Sequence, residues 1–149
     1  MDTKTIVVGV DGSDEGAAAL DFAVAEAALR QARLRIVCVW EVPVTAFGDG
    51  MIPAVAPETF DTYRAQAQRL VDDAVAGVAK ARPGLACEGV VVEGLPAGVL
   101  GDESRGADLV VVGSRGRGGF KSLLLGSVSQ QIVHHADCPV VVVRSQARK

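Results

Sequence analysis

The sequence predicts an α/β fold in which a doubly wound, five-stranded parallel sheet carries helices on both faces. Five short apolar runs, rich in Val and Ile, are separated by segments with helix-start signals or helical periodicity. Because these runs are continuous rather than alternating, they fit strands buried on both faces, as parallel strands are. A chain of 149 residues suits one core. We therefore assign residues 1–145 to a single domain and 146–149 to a polar tail.

The chain opens with a strand that leads directly into a helix. The run over residues 6–10 is apolar and ends at Asp11. Ser13 is then a favourable N-cap, and the two acidic residues after it lie where the helix dipole favours them. The helix is expected to end near Arg30. Its sheet-facing stripe is predicted to be Leu20, Val24, Ala27 and Ala28.

The middle of the chain contains a strand over 34–40 and a clear amphipathic helix over 58–81. Between them, residues 43–57 show no periodicity and several Pro and Gly. They predict a loop of about fifteen residues, which serves either as a lid or binding loop or as a plain surface connection. The inward-facing residues of the helix are predicted to be Phe60, Tyr63, Ala67, Leu70, Ala74 and Val78.

The last part of the chain repeats the strand–helix alternation. Strands are predicted over 87–93, 107–112 and 140–143, with a short helix from Pro96 and another from near Ser127. The residues that face inward from these two helices are predicted to be Val99, Leu100, Val128, Ile132 and Ala136.

Composition excludes several classes of protein. The net charge is -3 and aromatic residues make up only 4%, which argues against a nucleic-acid-binding surface. No apolar run approaches the length of about 20 residues that crosses a bilayer, and no signal peptide is recognised. The three cysteines, Cys38, Cys87 and Cys138, lie far apart without a C-x-x-C pair. We expect a soluble, cytoplasmic protein that binds neither membrane nor nucleic acid.

Residues 113–129 have the composition of an anion-binding site. They hold five glycines, four serines and the cations Arg115, Arg117 and Lys121, and they contain no acidic residue although the chain is acidic overall. Glycines allow backbone N–H groups to turn toward a ligand, and the first turn of the following helix offers unpaired donors. Such a stretch indicates a phosphate site.

The spacing of the glycines distinguishes among phosphate-binding motifs. A Walker A loop requires Gly where this chain has Phe120. A dinucleotide fingerprint requires G-x-G-x-x-G after the first strand, where this chain has D-G-S. The pattern that fits is G-x-x-G-x9-G-[ST], formed by Gly113, Gly116 and the pair Gly126-Ser127.

With this motif the chain resembles the single-domain, ATP-binding type of universal stress protein. The resemblance also includes V-G-V-D-G-S at 8–13, G-L-P at 94–96 and the run from G-S-V-S at 126–129 to C-P-V-V-V at 138–142. It implies the strand order 3-2-1-4-5, in which the first and fourth strands are neighbours. Ligands of such sheets bind where neighbouring chains depart in opposite directions, so Asp11 and Gly113 are expected to meet at one site.

The resemblance also implies roles for individual residues. The charge of Asp11 suits the ribose hydroxyls, the adenine edge or a metal, and the resemblance implies that Asp11 contacts the nucleoside end of the ligand. It also implies that the backbone of Val39 contacts adenine. Backbone N–H groups of Gly113 and Gly116 would reach the ribose and phosphates. Gly9 would permit close approach of the ligand or simply allow strand packing, and Arg115 would clamp phosphate or be solvated. The predicted binding residues are Gly9, Asp11, Val39, Gly113, Arg115, Gly116, Gly126, Ser127, Val128 and Ser129.

The implied function is that of an ATP-binding regulatory protein in the stress response, with Mg²⁺ bound through the phosphates. A slow Mg²⁺-dependent ATP hydrolase is one alternative, because the same pocket could serve it. A sensor of AMP or a cyclic nucleotide is another, because backbone N–H donors do not determine how many phosphates the ligand carries. We find no catalytic constellation for nucleophilic or acid–base chemistry. The strand over 140–143 would leave an apolar sheet edge unpaired. Both this edge and the resemblance point to a homodimer through that strand; the sequence identifies no other protein partner.

Overall fold

The computed structural model describes residues 3–42, 44–115 and 125–145. Three residues that the sequence singles out, Gly116, Arg117 and Lys121, and the tail at 146–149 lie outside the described residues. In chain order the elements are β1 (Thr5–Gly9), α1 (Asp14–Arg30), β2 (Arg33–Trp40), β3 (Val44–Phe47), β4 (Gly50–Pro53), α2 (Pro57–Ala81), β5 (Cys87–Glu93), α3 (Pro96–Ser104), β6 (Leu109–Gly113), α4 (Ser127–His135) and β7 (Val140–Val143).

The main sheet has the predicted architecture. Its five strands are parallel and run in the order β5-β2-β1-β6-β7, which is the predicted order 3-2-1-4-5 when the five predicted strands are counted. The first strand lies in the middle, so Ile6 pairs with Leu34 on one side and with Leu109 on the other. The predicted fold class is therefore confirmed.

Helices cover both faces of this sheet and divide the core into two layers. Ile6 and Val8 belong to the layer under α1 and α2, whereas Val7 packs with Leu100 of α3 and Ile132 of α4. Because successive side chains of a strand point to opposite faces, every position of β1 meets apolar packing. This explains why the strand is a continuous apolar run.

Helix α1 begins as predicted, but its buried stripe shares only Ala27 with the predicted stripe. The Ser13 hydroxyl accepts a hydrogen bond from the Gly16 N–H at 3.0 Å, which caps the helix. Leu20 and Val24, which were predicted to form the sheet-facing stripe, are only half-buried and flank it. The smallest side chains take the centre because they let the helix approach the sheet closely. The fully buried positions are Gly16, Ala19, Ala23 and Ala27.

Helix α2 confirms the predicted inward face, with Ala67 and Val78 buried, and it adds Val71. This helix crosses β5 at Gly89. A Cβ at that position would lie 2.1 Å from Val71 Cγ1 and 2.9 Å from Val75 Cγ2. Glycine at this point is what allows α2 to pack directly on the strand.

The prediction of a structureless loop over 43–57 is wrong. Strands β3 and β4 form an antiparallel hairpin in which Phe47 pairs with Gly50. Gly48, in the two-residue turn, has a φ of 61°, the left-handed value that the first central residue of such hairpin turns takes. All residues of both strands are exposed. The alternation that reveals a half-buried strand is therefore missing, and the Gly-Asp dipeptide between the strands is the signal that could have shown the hairpin.

Candidate functional site

An open cleft of about 720 Å³ lies at the carboxyl ends of β1 and β6. Helix α1, which follows β1, packs on one face of the sheet, and α4, the next described helix after β6, packs on the other face. The ends of two neighbouring strands whose following helices lie on opposite faces form the crevice in which open α/β sheets bind ligands.

The cleft gathers the residues that the sequence selected. Its lining combines the end of β1, the end of β6 and the start of α4, which lie far apart along the chain. The tenth selected residue, Gly116, lies outside the described residues. The selected residues found in the lining are Gly9, Asp11, Val39, Gly113, Arg115, Gly126, Ser127, Val128 and Ser129.

One wall of the cleft comes from α2 and was not predicted. Tyr63, Gln66, Ala67 and Leu70 line it, next to Trp40 at the end of β2. The stripe of Tyr63, Ala67 and Leu70 was assigned to the core, and these residues do pack on it. The stripe extends beyond the carboxyl ends of the strands, so the earlier turns of α2 also face the cleft. Periodicity identifies the inward face of a helix but not where the sheet beneath it ends.

Asp11 is oriented by the turn that follows it. Its Oδ1 accepts hydrogen bonds from the Ser13 N–H at 3.0 Å and from the Ser13 hydroxyl. The Ser13 hydroxyl in turn caps α1 through the Gly16 N–H. The carboxylate is thereby held at the cleft wall by the same residues that start the helix. Gly16 is part of this arrangement, since a Cβ there would lie 2.8 Å from Asp11 Oδ1.

Two glycines of the lining lie where a helix packs closely on the sheet. A Cβ on Gly113 would lie 2.8 Å from backbone atoms of Glu15, because the first turn of α1 passes directly over the end of β6. A Cβ on Gly9 would lie 3.0 Å from Leu100 Cδ1. Gly113 therefore serves the close approach of α1 to β6, whereas a side chain at Gly9 would need the end of Leu100 to shift.

The start of α4 supplies the polar end of the cleft. Gly126 is the N-cap and is buried, and the Gln130 N–H already donates to its carbonyl. Ser127, Val128 and Ser129 line this end of the cleft. Their N–H groups belong to the first turn and precede the first intrahelical donor. The Ser129 hydroxyl is buried and donates to the Ser114 carbonyl at 2.8 Å. The Ser129 hydroxyl thus links the start of α4 to Ser114, directly after β6.

Arg115 lines the same end of the cleft and contacts an acidic side chain that the sequence did not select. Arg115 Nη2 lies 3.8 Å from Glu15 Oε1. The other Glu15 oxygen, Oε2, accepts from the Ser145 N–H at 2.7 Å and from the Ser114 hydroxyl at 3.0 Å. The Ser145 hydroxyl also donates to Glu15. Glu15 therefore connects α1 with the segments that follow β6 and β7.

The environment of Glu15 stabilises its ionised form. Burial alone would raise the pKa of this carboxyl, but the hydrogen bonds from Ser145 and Ser114 and the charge of Arg115 lower the pKa below its ordinary value. From the sequence, Glu15 is recognised only as an acidic residue in the first turn of a helix. Its partners lie 99 and 130 positions away along the chain, so no local signal could have shown them.

Comparison with known proteins identifies the family. The profile of the universal stress protein family matches residues 2–144. The chain belongs to the universal stress protein family. A universal stress protein of Thermus aquaticus is 36% identical over 141 residues, which are 95% of this chain and 98% of that protein. One of Mycolicibacterium smegmatis is 36% identical over 139 residues, 93% of this chain but 45% of that protein. This universal stress protein thus spans about half the length of several curated relatives that it matches.

Solved structures support the same assignment. The universal stress protein UspA from Lactobacillus plantarum superposes with a TM-score of 0.82 at 28% identity, covering 97% of this chain and 99% of that one. A universal stress protein in complex with cAMP superposes with a TM-score of 0.67 at 29% identity, covering 98% of this chain and 100% of that one. Among the described residues of our universal stress protein, no helix is both long and apolar enough to cross a membrane.

Proposed function

We propose that this universal stress protein binds an adenine nucleotide in the cleft, with ATP as the principal ligand, and acts as a nucleotide-dependent regulator. The observation that carries the proposal is the convergence of Asp11, Val39, Gly113 and the start of α4 on one cleft of about 720 Å³. A volume of this size lies within the range of small-molecule and cofactor sites.

The cleft has one largely apolar side and one anion-binding side, which matches the two ends of a nucleotide. Val39, Ala67 and Leu70 offer an apolar wall for the base. The helix dipole and the first-turn N–H groups of α4, together with Arg115, favour the phosphates. Asp11, an anion, suits the ribose hydroxyls that lie between these ends. A hydroxyl donor can then bond to the carboxylate without bringing a phosphate near it.

The identity of the nucleotide is the finer part of the proposal. The similar universal stress protein that binds cAMP favours a nucleotide with fewer phosphates as the second candidate. Mg²⁺ would accompany ATP through the phosphates. Among the described residues, no three His, Cys, Asp or Glu side chains form a metal-binding group.

A homodimer through β7 is the second part of the proposed regulatory function. β7 is the last strand of the sheet and pairs with β6 on one side. Val143 O accepts from the Ser114 N–H and Pro139 O from the Val110 N–H, so the odd-numbered residues bond toward β6. The backbone groups of Val140 and Val142 then point away from the sheet, where a second copy of the strand would pair with them.

The direct test is calorimetric titration of nucleotide-free protein with ATP, AMP, cAMP and GTP. We expect binding of adenine nucleotides with ATP tightest, and much weaker binding of GTP. Mass spectrometry of ligand released from freshly purified, denatured protein should show the same nucleotide. The absence of binding to all adenine nucleotides contradicts the proposal. Incubation with Mg²⁺ and ATP over hours then separates a binder from a slow hydrolase, since only the hydrolase accumulates ADP.

Replacing Gly126 provides a variant that targets the phosphate end. A bulky side chain at this buried N-cap would fill the space in front of the first turn of α4. We expect Gly126→Leu to lose nucleotide binding while circular dichroism still shows the α/β fold. Gly98→Ala, at a position where a Cβ meets nothing within 4 Å, serves as the control and should bind as the wild type does. Unchanged ATP affinity in Gly126→Leu contradicts the placement of the phosphates.

A further inference from the structure

A carboxylate lies directly behind the cationic end of the cleft. The Glu15 side chain is 13% exposed and stands 3.8 Å from Arg115, whose side chain is 30% exposed. Arg115 lines the cleft, and Glu15 lies one layer behind that lining. The pair therefore links a mostly buried anion to a cation that faces the ligand space.

The serines, rather than Arg115, hold Glu15 in place. The contacts of Glu15 Oε2 with the Ser145 N–H and the Ser114 hydroxyl, at 2.7 and 3.0 Å, are hydrogen bonds of normal length. The 3.8 Å separation from Arg115 exceeds the roughly 2.7–2.9 Å of a charge-assisted hydrogen bond. Glu15 thus acts on Arg115 through its charge more than through a fixed geometry.

Packing of the backbone also fixes the position of Glu15, which lies in the first turn of α1. The Glu15 carbonyl and Cβ pack against Gly113 so closely that any side chain there would come within 2.8 Å of them. The backbone of Glu15 is therefore packed closely against the end of β6, and the hydrogen bonds from Ser145 and Ser114 hold its carboxylate.

We propose that Glu15 sets how strongly the cleft distinguishes adenine nucleotides by their number of phosphates. Its charge offsets part of the positive charge that Arg115 offers to a phosphate, and this offset grows with the charge of the ligand. Glu15 is thus a specificity-determining residue that acts through Arg115 without contacting the ligand. The inference rests on the proposed function, because it takes the α4 side of the cleft as the phosphate end.

The test is the affinity of Glu15→Gln for adenosine, AMP, ADP and ATP by calorimetry. Glutamine keeps an acceptor for Ser145 but carries no charge. We expect Glu15→Gln to bind ATP roughly tenfold more tightly than the wild type does. This factor corresponds to one Coulomb interaction between unit charges across about 8 Å at an intermediate dielectric constant. The gain should fall to roughly threefold for AMP and vanish for adenosine, and added salt should reduce it.

Three variants separate charge from structure. Glu15→Asp retains the charge and should keep the wild-type ranking of the four ligands. Ser145→Ala removes one hydrogen bond to Glu15 but leaves its charge, so any change in affinity should be the same for ATP and adenosine. Glu26→Gln removes a charge from the same helix, where Glu26 pairs with Arg30, and should leave all four affinities unchanged.

The results of these titrations distinguish failure of this inference from failure of the proposed function. If Glu15→Gln changes the affinity for all four ligands by the same factor, or if Glu26→Gln shows the same graded gain in affinity, the inference is overturned but the proposed function is not. A wild-type protein that binds none of the four ligands contradicts the proposed function. If Glu15→Gln does not fold, Arg115→Gln gives the complementary measurement. It should lose affinity for ATP more than for AMP and keep its affinity for adenosine, and a uniform loss overturns the inference.

Discussion

At the scale of single residues, the cleft is made of groups that also hold the domain together. Asp11 orients the turn before α1, and Gly113 lets that helix pass over the end of β6. The Ser129 hydroxyl links the start of α4 to the carbonyl of Ser114, directly after β6. A substitution at such a position changes both stability and binding. Each mutational test of the site therefore needs a variant that preserves the structural contact.

Asp11 can be tested with such a pair. Asp11→Ala removes the acceptor for the Ser13 N–H and hydroxyl, so we expect a loss of about 1 kcal/mol in the free energy of unfolding and weaker ATP binding. Asp11→Asn keeps an acceptor and should retain most of the stability. Urea denaturation and calorimetry measure the two effects. If Asp11→Ala binds ATP as tightly as the wild type, Asp11 does not contact the nucleotide.

The stability contributed by Glu15 should depend on pH in a defined direction. Because hydrogen bonds from Ser145 and Ser114 and the charge of Arg115 lower its pKa in the folded state, the ionised form stabilises the fold. This contribution is present above the ordinary value of 4.5 and is lost as the pH falls through the lower pKa of the folded state. The difference in melting temperature between wild type and Glu15→Gln should therefore shrink from pH 7 toward pH 3. A difference that is constant over this range contradicts the assignment.

At the scale of secondary-structure elements, α2 performs two tasks along one stripe. Its later turns, with Val71 and Val78, cover the sheet, and its earlier turns, with Tyr63 and Gln66, form a wall of the cleft. The close passage of the helix over β5 makes both possible. Any change that lifts α2 from β5 should therefore affect the cleft as well as the core.

Gly89 and Gly77 provide a matched pair of substitutions for this packing. Gly89→Ala places a methyl group 2.1 Å from Val71 Cγ1, so we expect a loss of about 1–3 kcal/mol in the free energy of unfolding. Gly77→Ala, on the outer face of α2, meets nothing within 4 Å and should stabilise the protein by about 0.5–1 kcal/mol. Urea denaturation measures both values. A Gly89→Ala variant as stable as the wild type shows that α2 can shift freely on β5.

At the scale of the whole molecule, strand order creates both the cleft and the free edge. Placing β1 and β6 side by side, with their chains leaving to opposite faces, opens the cleft at their ends. The same order leaves β7 last in the sheet. The segment after β7 reaches back to the cleft, because Ser145 bonds to Glu15. The Glu15 carboxylate thus connects the segment after β7, the strand of the proposed dimer, with the end of the cleft that is proposed to bind phosphates.

The dimer proposal can be tested at the outward-facing backbone of β7. Val142→Pro removes an N–H that points away from β6, at an edge position where proline is tolerated. We expect light scattering to give a dimer mass for the wild type at micromolar concentration and a monomer mass for the variant. Circular dichroism should confirm that the variant remains folded. A wild-type monomer, or a variant that remains a dimer, refutes pairing through this strand.

The local patterns of the sequence were enough to predict the class of fold and part of the cleft lining. Apolar runs, the Ser13 cap and the glycine spacing over 113–129 act through neighbours a few residues away, so they can be recognised without a structure. Together with the resemblance to universal stress proteins, they selected the residues that meet at the ends of β1 and β6. The hairpin was missed because its strands are exposed on both sides and lack alternation.

Only the tertiary structure decided which distant groups meet. The wall from α2 depends on where the sheet ends beneath that helix, and the contact between Glu15 and Ser145 joins positions 130 residues apart. Such contacts follow from packing distances and strand register, which short-range spacing does not encode. The sequence by itself determined the class of fold and selected the end of the cleft that we propose binds the phosphates. The packing of α1 against β6 placed a carboxylate behind that end, and with it the charge that we propose tunes the choice of nucleotide.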